Sequence, residues 1–306
     1  MSQRLQEVRS FEEDAEKRIP ECARPMFHLT ARAGWMNDPN GFSYYQGKYH
    51  LFYQYHPYKT IWGPMYWGHA VSDDLVRWKF LPAALAPDQE YDQDGCFSGT
   101  AIELPDGTHA LLYTGVRNEN QDDGTIEGVQ TQCVALGNGV DYVKYEKNPV
   151  LDERDLPEGM CRFNFRDPKV WRKRDGSYRL LVGSQSTNDF DGKLQLYSSP
   201  NGLDWTFLKT LIENRDRFGR MWECPDIFPL DGKTVLIVSP QDMLATDNEY
   251  HSGNGTVAII GSYDDETDTF TEESDQTLDS GIDFYAPQTI ETPDGRRVMI
   301  GWFQNW

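Results

Sequence analysis

The stretch Trp35-Met-Asn-Asp-Pro-Asn-Gly-Phe-Ser-Tyr-Tyr-Gln-Gly-Lys-Tyr-His-Leu-Phe-Tyr-Gln-Tyr55 reads as an acid-bearing motif, a short strand, a Gln46-Gly47 turn and a strongly apolar second strand. Gly supplies the left-handed backbone such a turn needs, and the aromatic run beyond it suits a buried strand. The same frame returns four times. It reads Ser98-Gly-Thr-Ala-Ile-Glu-Leu-Pro-Asp-Gly107, then Asp167-Pro-Lys-Val-Trp-Arg-Lys-Arg-Asp-Gly176, then Cys224-Pro-Asp-Ile-Phe-Pro-Leu-Asp-Gly-Lys233, then Ala286-Pro-Gln-Thr-Ile-Glu-Thr-Pro-Asp-Gly295. The later frames lead into Ala110 to Thr114, Tyr178 to Val182, Val235 to Val238 and Val298 to Trp302. Taking Asn40, Gly99, Pro168, Pro225 and Pro287 as markers, the steps are 59, 69, 57 and 62 residues. A period of that size is a repeat signal, long enough for a four-stranded blade with generous loops. The chain is therefore expected to be all-β, a five-bladed β-propeller.

Second halves of the units agree with this. Trp67-Gly-His-Ala-Val-Ser-Asp-Asp-Leu-Val-Arg-Trp78 and Leu194-Gln-Leu-Tyr-Ser-Ser-Pro-Asn-Gly-Leu-Asp-Trp205 match in Ser, Asp or Asn, Leu and Trp, as equivalent strands of two blades should. Ahead of the repeats, Leu5, Val8, Phe11, Ala15 and Ile19 recur at helical spacing until Pro20 and Pro25 end the helix. This gives residues 1–26 as a short helical extension and 27–306 as the propeller domain. Only two strands of the fifth unit fit before Trp306, so its last blade is expected to be cut short.

Composition narrows the function. Of 306 residues, 29 are Lys or Arg and 49 are Asp or Glu, a formal charge of −20. Nucleic acid and anionic membrane are disfavoured as partners, because both are held by clustered cations. No apolar run approaches the length of about 20 residues that a membrane helix needs. Five Cys, odd in number and widely spaced, fit reduced thiols, and the N-terminus lacks a secretory layout. A cytoplasmic protein is expected, with Asn254-Gly-Thr256 read as a turn. The six His include no metal-ligand spacing, and neither phosphate-cradling glycine loops nor a G-x-S-x-G elbow occurs, so no metal and no cofactor are expected.

In a propeller the first strand of each unit lines the central channel, so residues at equivalent positions converge. Three of these starts carry acids: Asp38, Asp167 and Glu223, with Asp283 just ahead of the fifth. Carboxylates gathered in one pocket cannot all ionise without cost, and a set in mixed protonation is what glycosidic bond cleavage uses.

Seven motifs in order carry a resemblance. Gly34-Trp-Met-Asn-Asp-Pro-Asn-Gly41, Tyr53-Gln-Tyr-His-Pro57, Trp67-Gly-His69, Phe97-Ser-Gly-Thr100, Arg166-Asp-Pro168, Trp222-Glu-Cys-Pro225 and Phe284-Tyr-Ala-Pro-Gln288 make the chain similar to glycoside hydrolase family 32. That family contains invertases, sucrose-6-phosphate hydrolases and fructanases. The resemblance implies a retaining β-fructofuranosidase that takes a small sugar as its partner: sucrose, sucrose 6-phosphate or a short β-fructan. It makes Asp38 the nucleophile, Glu223 the general acid then base, and Asp167 the stabiliser of the transition state. Asn37, Gln54, Trp62, Phe97, Ser98, Arg166, Tyr285 and Trp302 are implied to line the fructose subsite. The family's C-terminal β-sandwich has no counterpart in the sequence.

Alternatives stay open at this level. The same triad serves a fructosyltransferase, and a non-catalytic sugar-binding propeller would keep the same fold. Arg166 and Asp167 also read as a structural ion pair, and Trp62 and Trp302 as core aromatics. Lys59, Arg117 and Arg162 are candidates to meet a substrate phosphate, and the oligomeric state is not legible.

Overall fold

A computed structural model describes residues 1–246 and 249–304; residues 247–248 and 305–306, and with them the end of the expected propeller domain, lie outside the described residues. The helix α1 (Gln3–Glu16) begins at Ser2, whose side chain accepts from the Leu5 amide at 3.2 Å. It stops short of Ile19, because Pro20 disfavours a helical backbone at the residue before it. Leu5 and Val8 are buried against the outer strand of the first blade, and Glu12 accepts from the Ala83 amide at 2.9 Å and from Arg32 at 3.0 Å.

Four sheets have four antiparallel strands each, in sequence order or its reverse. The first holds β1 (Trp35–Tyr45), β2 (Lys48–His56), β3 (Tyr66–Ser72) and β4 (Trp78–Leu85). The second holds β5 (Gly95–Glu103), β6 (His109–Asn120), β7 (Ile126–Gly137) and β8 (Tyr142–Lys144). The third holds β9 (Met160–Arg172), β10 (Tyr178–Ser186), β11 (Gly192–Ser199) and β12 (Thr206–Glu213). The fourth holds β13 (Trp222–Leu230), β14 (Lys233–Pro240), β15 (Val257–Asp264) and β16 (Thr269–Thr277). A last sheet has two strands, β17 (Phe284–Glu291) and β18 (Arg297–Phe303). The fold is thus an all-β propeller with one short helix. The expectation of five blades is corrected to four complete ones among the described residues, since β18 finds no third strand to pair with.

Blade-to-blade packing follows the expected pattern. One apolar cluster joins the first and second sheets through Phe52, Trp67 and Tyr113, another the second and third through Leu112, Phe165 and Tyr178, another the third and fourth through Leu194, Trp222 and Leu236. Burial of each such side chain contributes roughly 1.5–3 kcal/mol. Polar ties reinforce the ring. Gln288 of β17 accepts from the Phe42 amide at 3.1 Å and donates to the Gly99 carbonyl at 2.7 Å, so one amide joins β17, β1 and β5.

The two sequence segments that matched each other fold alike. Ser72 accepts from the Leu75 amide at 2.8 Å between β3 and β4, and Ser199 accepts from the Gly202 amide at 2.9 Å between β11 and β12. A Ser hydroxyl that satisfies a turn amide fixes the outer hairpin in both. No helix among the described residues is long and apolar enough to cross a membrane.

Candidate active site

Each inner strand breaks its register near the residue that the repeat places at the channel. Shifts fall between Met36 and Pro39, Phe97 and Gly99, Glu223 and Asp226, and Tyr285 and Gln288, with another opposite Arg166 to Lys169. Three residues at these bulges have left-handed backbones and stand directly before proline: Asp167 at φ 65°, Cys224 at 47° and Ala286 at 50°. Non-glycine residues held there cost on the order of 1–3 kcal/mol each. A bulge re-aims the side chains beside it, and here it turns residues of a pleated strand toward one point.

Asp38, Asp167 and Glu223 come together there. Asp38 takes hydrogen bonds from Ser98 Oγ at 2.6 Å and from Asn37 Nδ2 at 3.1 Å. Asp167 Oδ2 accepts from the Cys224 amide at 3.0 Å, while its own amide donates to Thr114 Oγ1 at 2.9 Å. The Cys224 thiol bridges the two aspartates, 3.5 Å from Asp38 Oδ2 and 3.6 Å from Asp167 Oδ2. Glu223 receives Arg166 Nε at 2.9 Å on Oε1 and the Tyr285 hydroxyl at 2.5 Å on Oε2. Arg166 is fixed in turn by Asn164 Oδ1 at 2.7 Å.

Electrostatics follow from this crowding. Burial, and then the Glu223 carboxylate, push the Asp38 carboxyl above its ordinary range. Asp167 is pushed up to about 7 by burial and by Glu223, against the opposing pull of Arg166. Burial beside three carboxylates holds Cys224 well up, so it stays a thiol and a donor.

The Tyr285 hydroxyl lies between two oxygens, the Ser239 carbonyl at 3.0 Å and Glu223 Oε2 at 2.5 Å, which ties the Glu223 side chain to the backbone of β14.

The other expected site residues divide. Asn37, Ser98, Arg166 and Tyr285 touch the acids directly. Trp302 packs with Cys224 and Tyr285 behind them and meets Trp35 edge-on at 6.0 Å. Trp62 is exposed and meets the half-buried Phe97 edge-on at 5.9 Å. Gln54 is buried and donates to the Cys96 carbonyl of β5 at 3.0 Å. Cys224 and Thr114 went unremarked in the sequence as site residues. The first stands inside the quoted Trp222-Glu-Cys-Pro motif, and the second is a hydroxyl at the end of the apolar run Ala110 to Thr114, a polar group that burial obliges to find a partner.

Among known proteins, the profile described as "Glycosyl hydrolases family 32 N-terminal domain" matches residues 28–306. A sucrose-6-phosphate hydrolase of Zymomonas mobilis is 41% identical over 294 residues, covering 92% of this chain and 55% of that protein. The raffinose invertase of Escherichia coli is 37% identical over 308 residues, covering 100% of this chain and 62% of that protein. Among solved structures, the Bombyx mori GH32 beta-fructofuranosidase BmSUC1 superposes with a TM-score of 0.88 at 42% identity, over 98% of this chain and 62% of that one, and a mutant of it is solved in complex with sucrose. The chain thus spans between half and two thirds of the length of these relatives.

Proposed function

The chain belongs to glycosyl hydrolase family 32, and from that premise we propose that it is a retaining β-fructofuranosidase acting on the fructosyl bond of sucrose or sucrose 6-phosphate. The observation that carries this reading is the bridge from Asp38 through the Cys224 thiol to Asp167, with Glu223 on the adjacent residue and gripped by Arg166 and Tyr285. Three acids from three strands are thereby held at one point with different hydrogen-bond environments, which is how carboxyl groups acquire different protonation roles.

In the first step Asp38 Oδ attacks the anomeric carbon of the fructosyl unit, and the bond to the glycosidic oxygen breaks with its electron pair leaving on that oxygen. Glu223 supplies the proton that neutralises it. The product is a fructosyl ester on Asp38 and a free glucosyl sugar. In the second step the Glu223 carboxylate takes a proton from water, the water oxygen adds to the anomeric carbon, and the ester bond breaks to return Asp38. Asp167 accepts from the fructosyl hydroxyls while positive charge develops on the ring. Ser98 and Asn37 keep the Asp38 carboxylate aimed by hydrogen-bonding its two oxygens.

The same reading takes residues 27–306 as one catalytic domain, residues 1–26 as its helical extension, and β17 and β18 as the inner pair of a fifth blade. Trp62, Phe97 and Trp302 offer faces to the C–H surface of the sugar. It also takes the protein as cytoplasmic. Incubating the purified chain with sucrose, sucrose 6-phosphate and inulin, and resolving the products, tests the activity. Release of fructose in an amount equal to the glucosyl product supports hydrolysis, chain-lengthened fructosides would make the protein a transferase, and intact substrate would end the proposal.

A further inference from the structure

The structure joins two of the three basic residues that sequence offers for a substrate phosphate, and occupies them. β6 carries Thr114, which holds the Asp167 amide, and runs on to Arg117 and Glu119. Since Gly95 at the start of β5 pairs with Val116, the β6–β7 hairpin beyond it projects past the inner strand on the side of the acids. β9 carries Arg162 four residues before Arg166 on that same side. At about 3.3 Å per residue, Arg117 stands roughly 10 Å from Thr114 along β6 and Arg162 roughly 13 Å from Arg166 along β9, side-chain reach not counted. A disaccharide whose furanose is seated at Asp38 would extend its glucosyl half out of the acid pocket toward this rim.

At this rim Glu119 lies between the two guanidiniums. Its Oε1 takes Arg117 at 2.6 Å and its Oε2 takes Arg162 at 2.7 Å, while Arg162 also meets Glu153 at 3.0 Å. A carboxylate bridging two guanidiniums fills the position that a phosphate dianion would need. The surrounding segments deepen the effect, because residues 117–127 and 152–162 carry eight carboxylates against three arginines and no lysine.

We propose that Glu119 is a specificity determinant which, by holding Arg117 and Arg162 from within, makes this site select neutral sucrose and reject sucrose 6-phosphate. The inference rests on the proposed fructosidase activity and names its substrate. An incoming dianion meets a like charge already seated on the cations, and like charges juxtaposed at a binding site cost enough to discriminate partners. A neutral glucosyl group meets no such penalty.

The test compares kcat/KM for sucrose and sucrose 6-phosphate in the native chain, in Glu119→Gln and in Glu119→Ala. The native chain is expected to favour sucrose by about tenfold or more, the factor that some 1.4 kcal/mol supplies. Both variants are expected to raise the sucrose 6-phosphate value about tenfold, leaving the sucrose value within about twofold, and added salt narrows the native preference. Equal or better use of sucrose 6-phosphate by the native chain, or an unchanged ratio in both variants, overturns the proposal. Calorimetric binding of the two sugars to Glu223→Gln reads the same preference without turnover. Absent hydrolysis of both sugars therefore sinks the activity, whereas equal binding of both sinks the selectivity.

Discussion

Replacing Arg166 by Met removes the one guanidinium set against the acids while keeping an unbranched side chain in its place. Arg166 Nε lies 2.9 Å from Glu223 Oε1, and its charge also opposes the upward push on Asp167. A hydrogen bond to a charged group in such a site is worth about 2–3 kcal/mol, in line with a Coulomb attraction of about 4 kcal/mol at 4 Å and an effective dielectric of 20. Each 1.4 kcal/mol changes a protonation equilibrium about tenfold. With Asp167 already pushed up to about 7, roughly one molecule in ten has it ionised at pH 6, and loss of the cation lowers that by a further factor of about 30–100. The sign is fixed: without Arg166, Asp167 holds its proton to higher pH, so the acid limb of the rate profile moves alkaline by about 1.5–2 pH units. The assay is kcat/KM for sucrose from pH 4.5 to 9, beside Arg166→Lys, which keeps charge but loses the planar fork and should recover part of the rate. Unpairing a buried ion also costs about 3–5 kcal/mol of stability, so thermal melts establish that the variant is folded at the assay temperature. A folded Arg166→Met with a rate within a few-fold of wild type at pH 6 and an unmoved acid limb would refute the electrostatic account of the site.

Glu223→Gln should lower kcat on sucrose by about 10²–10⁴-fold yet keep much of the first-turnover burst of phenol from an aryl fructoside, whose phenol leaves without a proton; a burst lost as completely as sucrose turnover would remove Glu223 from proton donation. Asp38→Asn should be as damaging and should abolish the covalent fructosyl adduct, which mass spectrometry of a rapidly quenched reaction detects in the native chain. His50, in contact with His69 at 3.0 Å, is held down to about 4, by burial first and then by Lys48, and no carboxylate is paired with it. The unfolded chain binds a proton there below about pH 6.5 and the folded chain does not, so this group removes about 1.4 kcal/mol per pH unit between 6.5 and 4. The stability deficit of His50→Asn should therefore shrink by up to about 3 kcal/mol over that window, and parallel urea curves at pH 7 and 4.5 would contradict this. Glu12, 1% exposed on the buried face of α1, is pushed up to about 7 by burial despite Ala83 and Arg32. Its contribution is fully present below about pH 4.5 and lost as pH rises through 7, so Glu12→Gln should gain on wild type by up to about 3 kcal/mol between pH 4.5 and 8; a difference that stays constant across this range would mean Glu12 does not titrate as a buried acid.

Much of this protein is written locally. Alternation and turn residues place β2, β6, β10, β14 and β18 where the apolar runs stand, because a two-residue period and a glycine turn need only neighbours in sequence to be expressed. The acids of β1, β9 and β13 are visible for the same reason: they sit at one position of a repeated frame, and a repeated frame closes into a ring. What the ring does with them is not local. Asp167, Cys224 and Ala286 reach left-handed backbones that neither their identity nor the following proline favours, and only packing against neighbouring blades holds them there. The contact of the Cys224 thiol with Asp38, 186 residues away, and that of the Tyr285 hydroxyl with Glu223 exist only once the inner strands meet. Gln54 stands in a site motif, and the partner of its amide nitrogen, the Cys96 carbonyl 42 residues on, is set only by the fold. Arg117 and Arg162 looked alike as free cations in the sequence, whereas the fold set Glu119 between them. Residue type and period determine which segments become strands and which carry charge. Desolvation and through-space pairing, which depend on what the closed ring brings alongside, decide how those charges behave.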